Sequence, residues 1–441
     1  MTLSLPPAGA HRIVVVGGGA GGLELATKLG DKFGRKDRAL VTLVDRSRTH
    51  LWKPLLHEVA AGSMNMHEHQ LDYLAQARWH RFAFAQGALA GLDREAREVV
   101  VAAVADDEGQ EILPERRIGY DTLVVAIGSE SNDFNTPGVR EHAFTLDNTW
   151  QAHLFHRRLV NACFRANYAN EGEIISIAIV GAGATGVELA AELHNTIRVL
   201  AGYGLRNFDP AKQIRIAIVE AGPRVLAGLP DHVAEGTLKV LTEELGVEVL
   251  VNEKVVEVNA GGLRTASGRE VRGTFVVWAA GIRCAEVLKD LGGLETNRIN
   301  QLVVKDTLQA TRDDDIFAIG DCAAAPWKEG RNVPPRAQSA HQMASHVVKS
   351  IARRLAGKPP PAPYRYRDFG SLVSLGNYDT IGQLMGFISS EKFRVEGWIA
   401  RFVYISLYRQ HIWALHGFWR MALDTASRWI RRQVDPKVKL H

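Results

Sequence analysis

The sequence predicts an α/β protein with two dinucleotide-binding units, β-hairpin additions and a C-terminal amphipathic helical module. Three observations lead to this fold class. A β-branched strand, a glycine-rich turn and a helical pattern follow one another near the start of the chain, and the same succession returns 164 residues later. Residues 391–441 are basic and carry apolar residues in steps of three or four.

The first glycine turn, Gly17–Gly22, is the best-defined functional motif. A buried parallel strand, Ile13–Val16, is predicted before it, and the residues after it have helical spacing. Gly17 permits the tight turn out of the strand, Gly19 lets the backbone approach a pyrophosphate, and Gly22 allows helix and strand to pack closely. The helix N-terminus offers unpaired N–H groups to the phosphates. The turn therefore predicts a Rossmann-like dinucleotide site.

An acidic residue ends the next predicted strand. Leu40–Val44 is an apolar, β-rich run, and Asp45 follows it directly. A carboxylate at this place, beyond a glycine turn and its helix, can accept hydrogen bonds from the hydroxyls of an adenosine ribose. Asp45 is therefore predicted to bind the ribose of the first dinucleotide.

A second strand–turn–helix unit spans Ile175–Leu193. Its glycines, Gly181, Gly183 and Gly186, repeat the spacing of the first turn. Two such units in one chain predict two dinucleotide sites. The expected occupants are a flavin dinucleotide and a nicotinamide dinucleotide.

The nicotinamide dinucleotide is expected to be NADH. Glu220 ends the strand that follows the second turn and is predicted to meet the adenosine ribose. A carboxylate there accepts hydrogen bonds from both ribose hydroxyls and repels a 2′-phosphate. Arg224 lies close in sequence and would weaken this preference over NADPH.

Further strands indicate how the units are divided. Two apolar strands that run into small-residue turns, Tyr120–Gly128 and Phe275–Gly281, occupy equivalent places in the two repeats, and Asp315–Asp321 is one more strand that ends in an acid. Alternating segments in 87–113 and 248–271 predict antiparallel hairpins. The predicted organisation is a first domain in two parts, 1–149 and 310–360, a second domain at 150–309 and a C-terminal module at 361–441.

Composition excludes several function classes. The net charge is +4, but residues 391–441 carry +6 and the remainder −2. Basicity confined to the tail argues against a nucleic-acid-binding surface and favours a local contact with an anionic membrane. The three cysteines, Cys163, Cys284 and Cys322, form no C-x-x-C pair, and no metal-ligand cluster is visible, so neither a metal site nor a dithiol reductase is predicted.

The C-terminal module has an amphipathic pattern. Apolar residues recur from Trp398 onward, and Arg409, Arg420 and Arg431 fall near one stripe of a continuous helix. The pattern predicts a helix at a membrane interface. A helix docked on the core and a homodimer contact are alternatives, and Gly417 is a candidate break between two helices.

Four segments spread along the chain carry a resemblance to a known family. They are HLWKPLLHEVAAG (50–62), AQSAHQ (337–342), YRDFGSLVSLGNY (366–378) and RFVYISLYRQHIWALHG (401–417). With the paired glycine turns, they make the chain similar to the type II NADH:quinone oxidoreductases. These are single-chain respiratory NADH dehydrogenases that do not pump protons, within the two-dinucleotide-binding-domain flavoprotein superfamily. The resemblance implies hydride transfer from NADH to noncovalent FAD and transfer of two electrons to a membrane quinone.

The resemblance also implies roles for individual residues. The FAD-binding residues would be Gly17, Gly19, Gly22, Asp45, Lys53, Gly128, Gly320, Asp321 and Ala337. The NADH-binding residues would be Gly181, Gly183, Gly186, Glu220 and Gly281. Glu188, Gln338 and Gln342 would be catalytic: Glu188 would orient the nicotinamide, and the two amides would receive the quinone head group.

Other interpretations of these residues stay open. Lys53 is also consistent with a solvated surface lysine, Asp321 with a helix cap, and Glu188 with a carboxylate stabilised by a helix dipole. His341 is a further candidate as a proton source for the reduced quinone. Phe369 stands where many relatives carry a lysine, so a quinone contact by that lysine does not transfer to this chain.

Two other functions fit parts of the pattern. Sulfide:quinone oxidoreductase shares the predicted fold but uses redox cysteines, which here would be Cys163 and Cys322. An NADH-responsive flavoprotein that gates protein partners, like the apoptosis-inducing-factor group, is the other. The resemblance instead implies a peripheral enzyme on the cytoplasmic face of a bacterial inner membrane, with NADH, a quinone and an anionic lipid surface as partners.

Overall fold

The computed structural model describes residues 9–168, 173–205, 207–374, 380–384, 393–395, 408–431 and 438. The chain forms two compact units that alternate along the sequence. The first unit takes its described residues from Met1–Trp52, His69–Glu130 and Ile282–Arg367, and the second from Lys53–Glu68, Ser131–Gly281 and Asp368–His441. The chain therefore leaves the first unit for the short segment Lys53–Glu68 and then returns to it.

A six-stranded sheet is the centre of the first unit. From one edge to the other its strands are Gln309–Ala310, Asp313–Ala318, Thr122–Val125, His11–Val16, Ala39–Asp45 and Ala83–Gln86. All neighbours are parallel except the first pair. Ile13–Val16 is buried throughout, as β-branched residues are in a strand covered on both faces. Because parallel strands end at the same edge, the first glycine turn, Gly128 and Gly320 follow strands at that edge, and Asp45 is the last residue of a strand there.

Two long helices of the first unit, Ala20–Lys32 and Ala337–Arg354, pack against each other. Gly21 makes the approach close, since a Cβ there would lie 3.1 Å from the Ala340 Cβ. The remaining helical segments of this unit are Tyr73–His80 and the 3₁₀ turns Gly34–Lys36, Glu286–Leu288, Leu291–Gly293 and Gly320–Cys322.

Short strands are added to this unit, and the hairpins predicted within 87–113 are present. The antiparallel sets are Leu89–Asp93 with Glu98–Val101 and Arg116–Gly119, Val104–Ala105 with Glu111–Leu113, and Thr49–His50 with Leu71–Asp72. Leu302–Val303 pairs in parallel with Ala323–Ala324. Glu130–Ser131 and Ile282–Arg283 are short strands at positions where the chain changes unit.

A five-stranded parallel sheet is the centre of the second unit. Its strands, in spatial order, are Ala143–Phe144, Phe275–Trp278, Ile175–Val180, Ile214–Val219 and Glu248–Leu250. The second glycine turn follows the central strand, and Glu220 follows its neighbour, so both lie at the carboxyl edge of this sheet. The arrangement repeats that of the first unit.

The hairpin prediction for 248–271 is wrong at its start. Glu248–Leu250 is the parallel edge strand of the main sheet, because the helical segment before it makes a βαβ crossover from Ile214–Val219. Only Val255–Asn259, Gly262–Thr265 and Glu270–Arg272 form the antiparallel addition. Three more antiparallel strands of this unit are Gly370–Ser374, Thr380–Leu384 and Phe393–Val395.

Helices Thr149–Tyr168 and Ala184–Gly202 pack on the second unit's sheet. The other described helical segments of this unit are Leu56–Ala61 after the 3₁₀ turn Lys53–Leu55, Val139–His142, Pro210–Gln213, Asp231–Lys239 with its π-helical continuation Val240–Glu244, residues 408–416 and Phe418–Arg431. Met66–His69 is a single helical turn at the return to the first unit.

The described part of the tail contains two helices. Residues 408–416 are helical, Gly417 has φ of +77°, and Phe418–Arg431 follows. Gly417 therefore divides the helical tail, as its sequence predicts. Among the residues that the structure describes, no helix combines the length and apolarity needed to cross a bilayer. Trp398, Phe402 and Ile405, at the start of the predicted stripe, lie outside the described residues.

Candidate functional site

The first glycine turn joins the central strand of its unit to helix Ala20–Lys32. Gly17 has φ of +102° and donates its N–H to the Val44 oxygen at 2.7 Å. A Cβ on Gly22 would lie 1.8 Å from the Gly17 oxygen, so a larger residue there must displace backbone. A Cβ on Gly19 would meet nothing within 4 Å. The turn therefore leaves no room for a side chain at Gly22, whereas the space beside Gly19 is open.

The N-terminus of helix Ala20–Lys32 is open to an external acceptor. Its N-cap residue is Gly19, no side chain caps it, and its first turn contains no acidic residue. The first N–H groups of a helix have no partners within the helix, and the helix dipole adds partial positive charge there. This end of the helix suits an anionic group such as a pyrophosphate.

Asp45 connects the turn to the next loop. Its Oδ2 accepts the Gly18 N–H at 2.6 Å, and its Oδ1 accepts the Ser47 N–H at 2.7 Å. Burial raises the pKa of Asp45, although these two hydrogen bonds and Arg46 act in the opposite direction. Each carboxylate oxygen can accept more than one hydrogen bond, so the group is suited to ribose hydroxyls as well.

Two further strand ends meet beside Asp321. Gly128 and Gly320 have φ of +73° and +72°. Ser129 Oγ donates to Asp321 Oδ2 at 2.8 Å, and Gln301 Nε2 donates to the Asp321 backbone oxygen at 2.7 Å. Ser129 and Gln301 were not predicted. The only sequence signal for Ser129 is its place directly after the predicted Gly128 turn, and Gln301 has none.

Helix Ala337–Arg354 presents a second uncapped N-terminus in the first unit. Its N-cap, Arg336, makes no side-chain cap, and no acid lies in its first turn. Ala337 and Gln338 begin the helix. Gln342, one turn on, donates from Nε2 to the Arg367 oxygen at 2.8 Å and accepts the Arg367 N–H at 3.0 Å through Oε1. Direct binding of a quinone by Gln342 therefore requires this pairing to open.

His341 faces the neighbouring helix of the first unit. Its Nδ1 is hydrogen-bonded to Glu24, which also pairs with Lys28. Burial acts to raise the pKa of Glu24, but its bonds to His341 and Lys28 keep that pKa below the usual value. The buried carboxylate thus joins helix Ala20–Lys32 to His341.

The first unit fits a flavin dinucleotide. The open face at Gly19 and the uncapped helix suit the pyrophosphate, and Asp45 suits the adenosine ribose. Asp321 supplies a second carboxylate at the same edge of the sheet. The residues therefore provide both anion-binding N–H groups and hydroxyl acceptors.

The second glycine turn repeats these features in the second unit. Gly181 has φ of +103°, and a Cβ on Gly186 would lie 2.1 Å from the Gly181 oxygen. Gly183 is the N-cap of helix Ala184–Gly202, has open space where a Cβ would be, and is not capped by any side chain. The second turn is thus also tight inside and open at its middle glycine.

Glu220 in the second unit occupies the position equivalent to that of Asp45 in the first unit. Its Oε2 accepts the Ala182 N–H at 2.7 Å, and its Oε1 accepts the Gly222 N–H at 2.7 Å. Arg224 instead pairs with Asp231 at 2.9 Å and donates to the Leu229 oxygen at 2.8 Å. The guanidinium of Arg224 is therefore bonded to groups other than Glu220. Arg224, which was expected to weaken the preference for NADH over NADPH, already has partners.

Glu188 lies in a buried cluster of the second unit. It is on helix Ala184–Gly202, and its Oε2 is 3.7 Å from Nδ1 of His57 on helix Leu56–Ala61. Burial lowers the pKa of His57 to about 4, opposed by a hydrogen bond to the Pro54 backbone, so the imidazole is neutral at neutral pH. His57 was not assigned a role from sequence, although it lies in the HLWKPLLHEVAAG segment.

Lys53 also belongs to the second unit. Its Nζ lies 3.5 Å from Asp147 Oδ1, which accepts the Ser131 N–H at 2.8 Å. The lysine side chain is 46% exposed. The segment that begins at Lys53 thus contributes side chains next to both Asp147 and Glu188.

Gly281 ends the second repeat's small-residue turn. It has φ of +64°, and a Cβ there would lie 2.4 Å from the Phe134 ring. Its oxygen accepts the Asn132 N–H, while Trp278 Nε1 donates to the Asn132 oxygen at 2.7 Å. Only a glycine keeps this turn against the aromatic ring.

The cysteines do not resemble redox groups. Cys163, Cys284 and Cys322 are all buried, and none of the three forms a disulfide bond. Burial raises the pKa of Cys163 to about 12 and that of Cys322 to about 11, so both are thiols rather than reactive thiolates near neutral pH. Within the described residues, no group of three or more His, Cys, Asp or Glu side chains is arranged to hold a metal ion.

Known structures share this fold. A structure of NDH2 from Plasmodium falciparum in complex with NADH superposes with a TM-score of 0.80 at 17% identity, covering 97% of this chain and 100% of the other. The sulfide:quinone oxidoreductase from Aquifex aeolicus gives a TM-score of 0.70 at 18% identity, with 97% and 96% covered. The predicted two-unit α/β fold is confirmed.

Sequence relatives are closer. The pyridine nucleotide-disulphide oxidoreductase family model matches residues 11–344. A type II NADH:quinone oxidoreductase of Haemophilus influenzae is 44% identical over 97% of this chain and 99% of its own length. That of Staphylococcus saprophyticus is 30% identical, over 85% and 90%. The chain therefore belongs to the type II NADH:quinone oxidoreductases, within the pyridine nucleotide-disulphide oxidoreductase family.

Proposed function

We propose that the first unit of this chain holds FAD and that the second unit binds NADH, in an enzyme that reduces a membrane quinone. As a type II NADH:quinone oxidoreductase, the protein oxidises NADH and reduces a quinone. Like the other members of its class, it does not pump protons. The observation that carries the assignment is the pair of glycine turns, each open at its middle glycine and each bonded to a carboxylate.

Residues of the first unit bind FAD and orient it. N–H groups of the turn and helix receive the FAD pyrophosphate, with Gly17, Gly19 and Gly22 shaping the turn. Asp45 accepts from the adenosine ribose. The remaining FAD residues of the first unit in the proposal are Gly128, Gly320, Asp321 and Ala337. Lys53, which lies in the second unit beside Asp147, stays a prediction from the family resemblance. When bound, FAD takes up a hydride and gives two electrons to the acceptor.

The second unit's residues select and position NADH. Gly181, Gly183 and Gly186 shape the pyrophosphate site, Glu220 accepts from the ribose, and Gly281 ends the neighbouring turn. Glu188, buried beside the neutral His57, supplies a carboxyl group for orienting the nicotinamide. In the first unit, Gln338 and Gln342 are proposed to receive the uncharged quinone head group, because amides donate without carrying charge.

Anaerobic titration tests this function. NADH is expected to bleach the flavin absorbance, and a short-chain quinone is expected to restore it, with one quinone consumed per NADH. NADPH is expected to have a kcat/KM at least about tenfold lower, since Glu220 repels a 2′-phosphate. A colourless protein that takes up no flavin would refute the FAD assignment, and a kcat/KM for NADPH equal to that for NADH would refute the role of Glu220.

The tail is proposed to hold the enzyme on an anionic membrane surface. Ile412 and Leu415, before Gly417, are buried, whereas Trp419 and Leu423 on the next helix are 78% and 71% exposed. Ile430 continues the same exposed side. An exposed apolar face on a helix with arginines suits the surface of the bilayer in which the quinone is dissolved. We place the enzyme at the cytoplasmic face, where NADH is available, with a homodimer through the tail as the other use of this face.

Vesicle flotation tests the membrane contact. The double variant Trp419→Ser/Leu423→Ser is expected to lower partitioning onto phosphatidylglycerol-containing vesicles at least about tenfold, because it removes exposed apolar area that would enter the interface. The matched control is Trp150→Ser/Tyr168→Ser, which removes two exposed aromatics outside the tail. Equal flotation of both double variants and the wild type would exclude this helix as the anchor.

A further inference from the structure

Two buried side chains converge on one carbonyl group of the first glycine turn. The Gly18 oxygen accepts a hydrogen bond from His50 Nδ1 at 2.8 Å and another from the Tyr73 hydroxyl at 2.8 Å. The N–H of the same residue donates to Asp45 at 2.6 Å. The short ladder between Thr49–His50 and Leu71–Asp72 brings both donors to the turn. Gly18 is therefore held at both of its polar backbone atoms.

The protonation states suit this arrangement. Burial lowers the pKa of His50 to about 4, opposed by its bond to Gly18, so the ring is neutral near pH 7. With a carbonyl as its partner, Nδ1 must carry the hydrogen. Burial likewise raises the pKa of Tyr73, which keeps its hydroxyl as a donor. Both groups therefore donate to the Gly18 oxygen at physiological pH.

Fixing the Gly18 oxygen also fixes the Gly19 N–H. The two belong to one planar trans peptide, in which the C=O and N–H bonds point in opposite directions. His50 and Tyr73 hold the oxygen on the inner side, so the Gly19 N–H is directed away from them. Hydrogen bonds to a carbonyl also polarise its amide and strengthen the N–H as a donor. Gly19 is the residue at which the turn is open.

Among the described residues, the second glycine turn has no such pair of side-chain donors. Its equivalent carbonyl, that of Ala182, accepts the backbone N–H of Leu226 at 2.9 Å. The sequences differ accordingly: a Cβ on Gly18 would lie 2.3 Å from the Tyr73 hydroxyl, whereas alanine is accommodated at 182. Gly18 is thus glycine because Tyr73 occupies the space beside it.

We propose that His50 and Tyr73 are positioning residues for the dinucleotide of the first unit, which they retain by holding the Gly18–Gly19 peptide with its N–H aimed at the pyrophosphate. The inference rests on the proposed assignment of FAD to this turn. The two turns differ in what holds them: two side-chain donors hold the Gly18 oxygen, whereas one backbone N–H holds the equivalent Ala182 oxygen.

Flavin release from the holoenzyme tests the proposal. On dilution, the rate at which free-flavin fluorescence appears is expected to rise about tenfold in Tyr73→Phe and in His50→Leu, the effect of losing one hydrogen bond of ordinary strength. His50→Asn is expected to stay within about threefold of the wild type, because its Nδ2 can donate from the place of Nδ1. With flavin added to saturation, the KM for NADH is expected to stay within about twofold.

Tyr364→Phe is the matched control. Tyr364 is a buried tyrosine of the same unit whose hydroxyl has no hydrogen-bond partner in the described structure, so its removal leaves the turn intact and flavin release unchanged. Wild-type release rates in Tyr73→Phe and His50→Leu would overturn the proposal. So would His50→Asn releasing flavin as fast as His50→Leu, or a rise in KM for NADH parallel to flavin loss. A wild-type protein without flavin would instead refute the underlying FAD assignment.

Discussion

Gly22→Ala is expected to purify with less than about a tenth of the FAD bound by the wild type and to lose NADH:quinone activity in proportion. The added Cβ would lie 1.8 Å from the Gly17 oxygen. Because this oxygen belongs to the backbone, no side-chain rotation can relieve the clash. Relief requires the helix to move away from the strand, which costs on the order of 1–3 kcal/mol and opens the pyrophosphate turn. Flavin absorbance per protein, measured after gel filtration, checks this result.

Gly19→Ala distinguishes flavin loss caused by a distorted fold from flavin loss caused by an obstructed binding site. Its Cβ would meet no protein atom within 4 Å, and its φ of −64° is ordinary for alanine. The melting temperature of the flavin-free protein is therefore expected to match the wild type, while flavin affinity falls because the methyl group occupies the open face. If Gly22→Ala retains full flavin, or Gly19→Ala binds it with wild-type affinity, the pyrophosphate does not lie on this turn.

Glu188→Gln is expected to lower kcat/KM for NADH about 100-fold while FAD content is unchanged. The substitution keeps the shape of the buried side chain but replaces one carboxyl oxygen with an NH₂ group, so an acceptor for orienting the nicotinamide becomes a donor, and orientation contributes strongly to the rate. Because Glu188 is not among the residues proposed to bind FAD, flavin loading is expected to stay unchanged. Steady-state kinetics with a short-chain quinone, together with flavin absorbance, measure both quantities.

Glu192→Gln provides the comparison for Glu188. It makes the same chemical change one turn further along helix Ala184–Gly202, at a partly exposed position. Its kcat/KM is expected to stay within about threefold of the wild type. If the two variants have similar kinetics, Glu188 acts only as a helix-terminal carboxylate, and its role at the nicotinamide is refuted.

The two glycine turns and their carboxylates were predictable because each is a local structure. A β-branched strand, three glycines at fixed spacing and a following helix determine the turn from neighbouring residues alone. Asp45 ends the next strand of the first unit and Glu220 directly follows the next strand of the second, and parallel pairing brings each strand end to the turn. The break at Gly417 was likewise visible in sequence, since a glycine interrupts an otherwise helical pattern.

Tertiary structure decided the contacts that connect residues far apart in the chain. Packing of 53–68 in the second unit placed Lys53 beside Asp147 and His57 beside Glu188. It also paired Gln342 with the Arg367 backbone.

The sequence by itself determined that there are two dinucleotide turns and which residues shape them, because backbone conformation at a glycine depends on its near neighbours. Only the folded chain decided what holds each turn in place. His50 and Tyr73 reach the Gly18 oxygen because a short β-ladder pairs residues about twenty positions apart in the chain. No periodicity in the sequence predicts this contact. Partners of buried polar groups are set by the packing of whole elements, and a linear pattern does not record them.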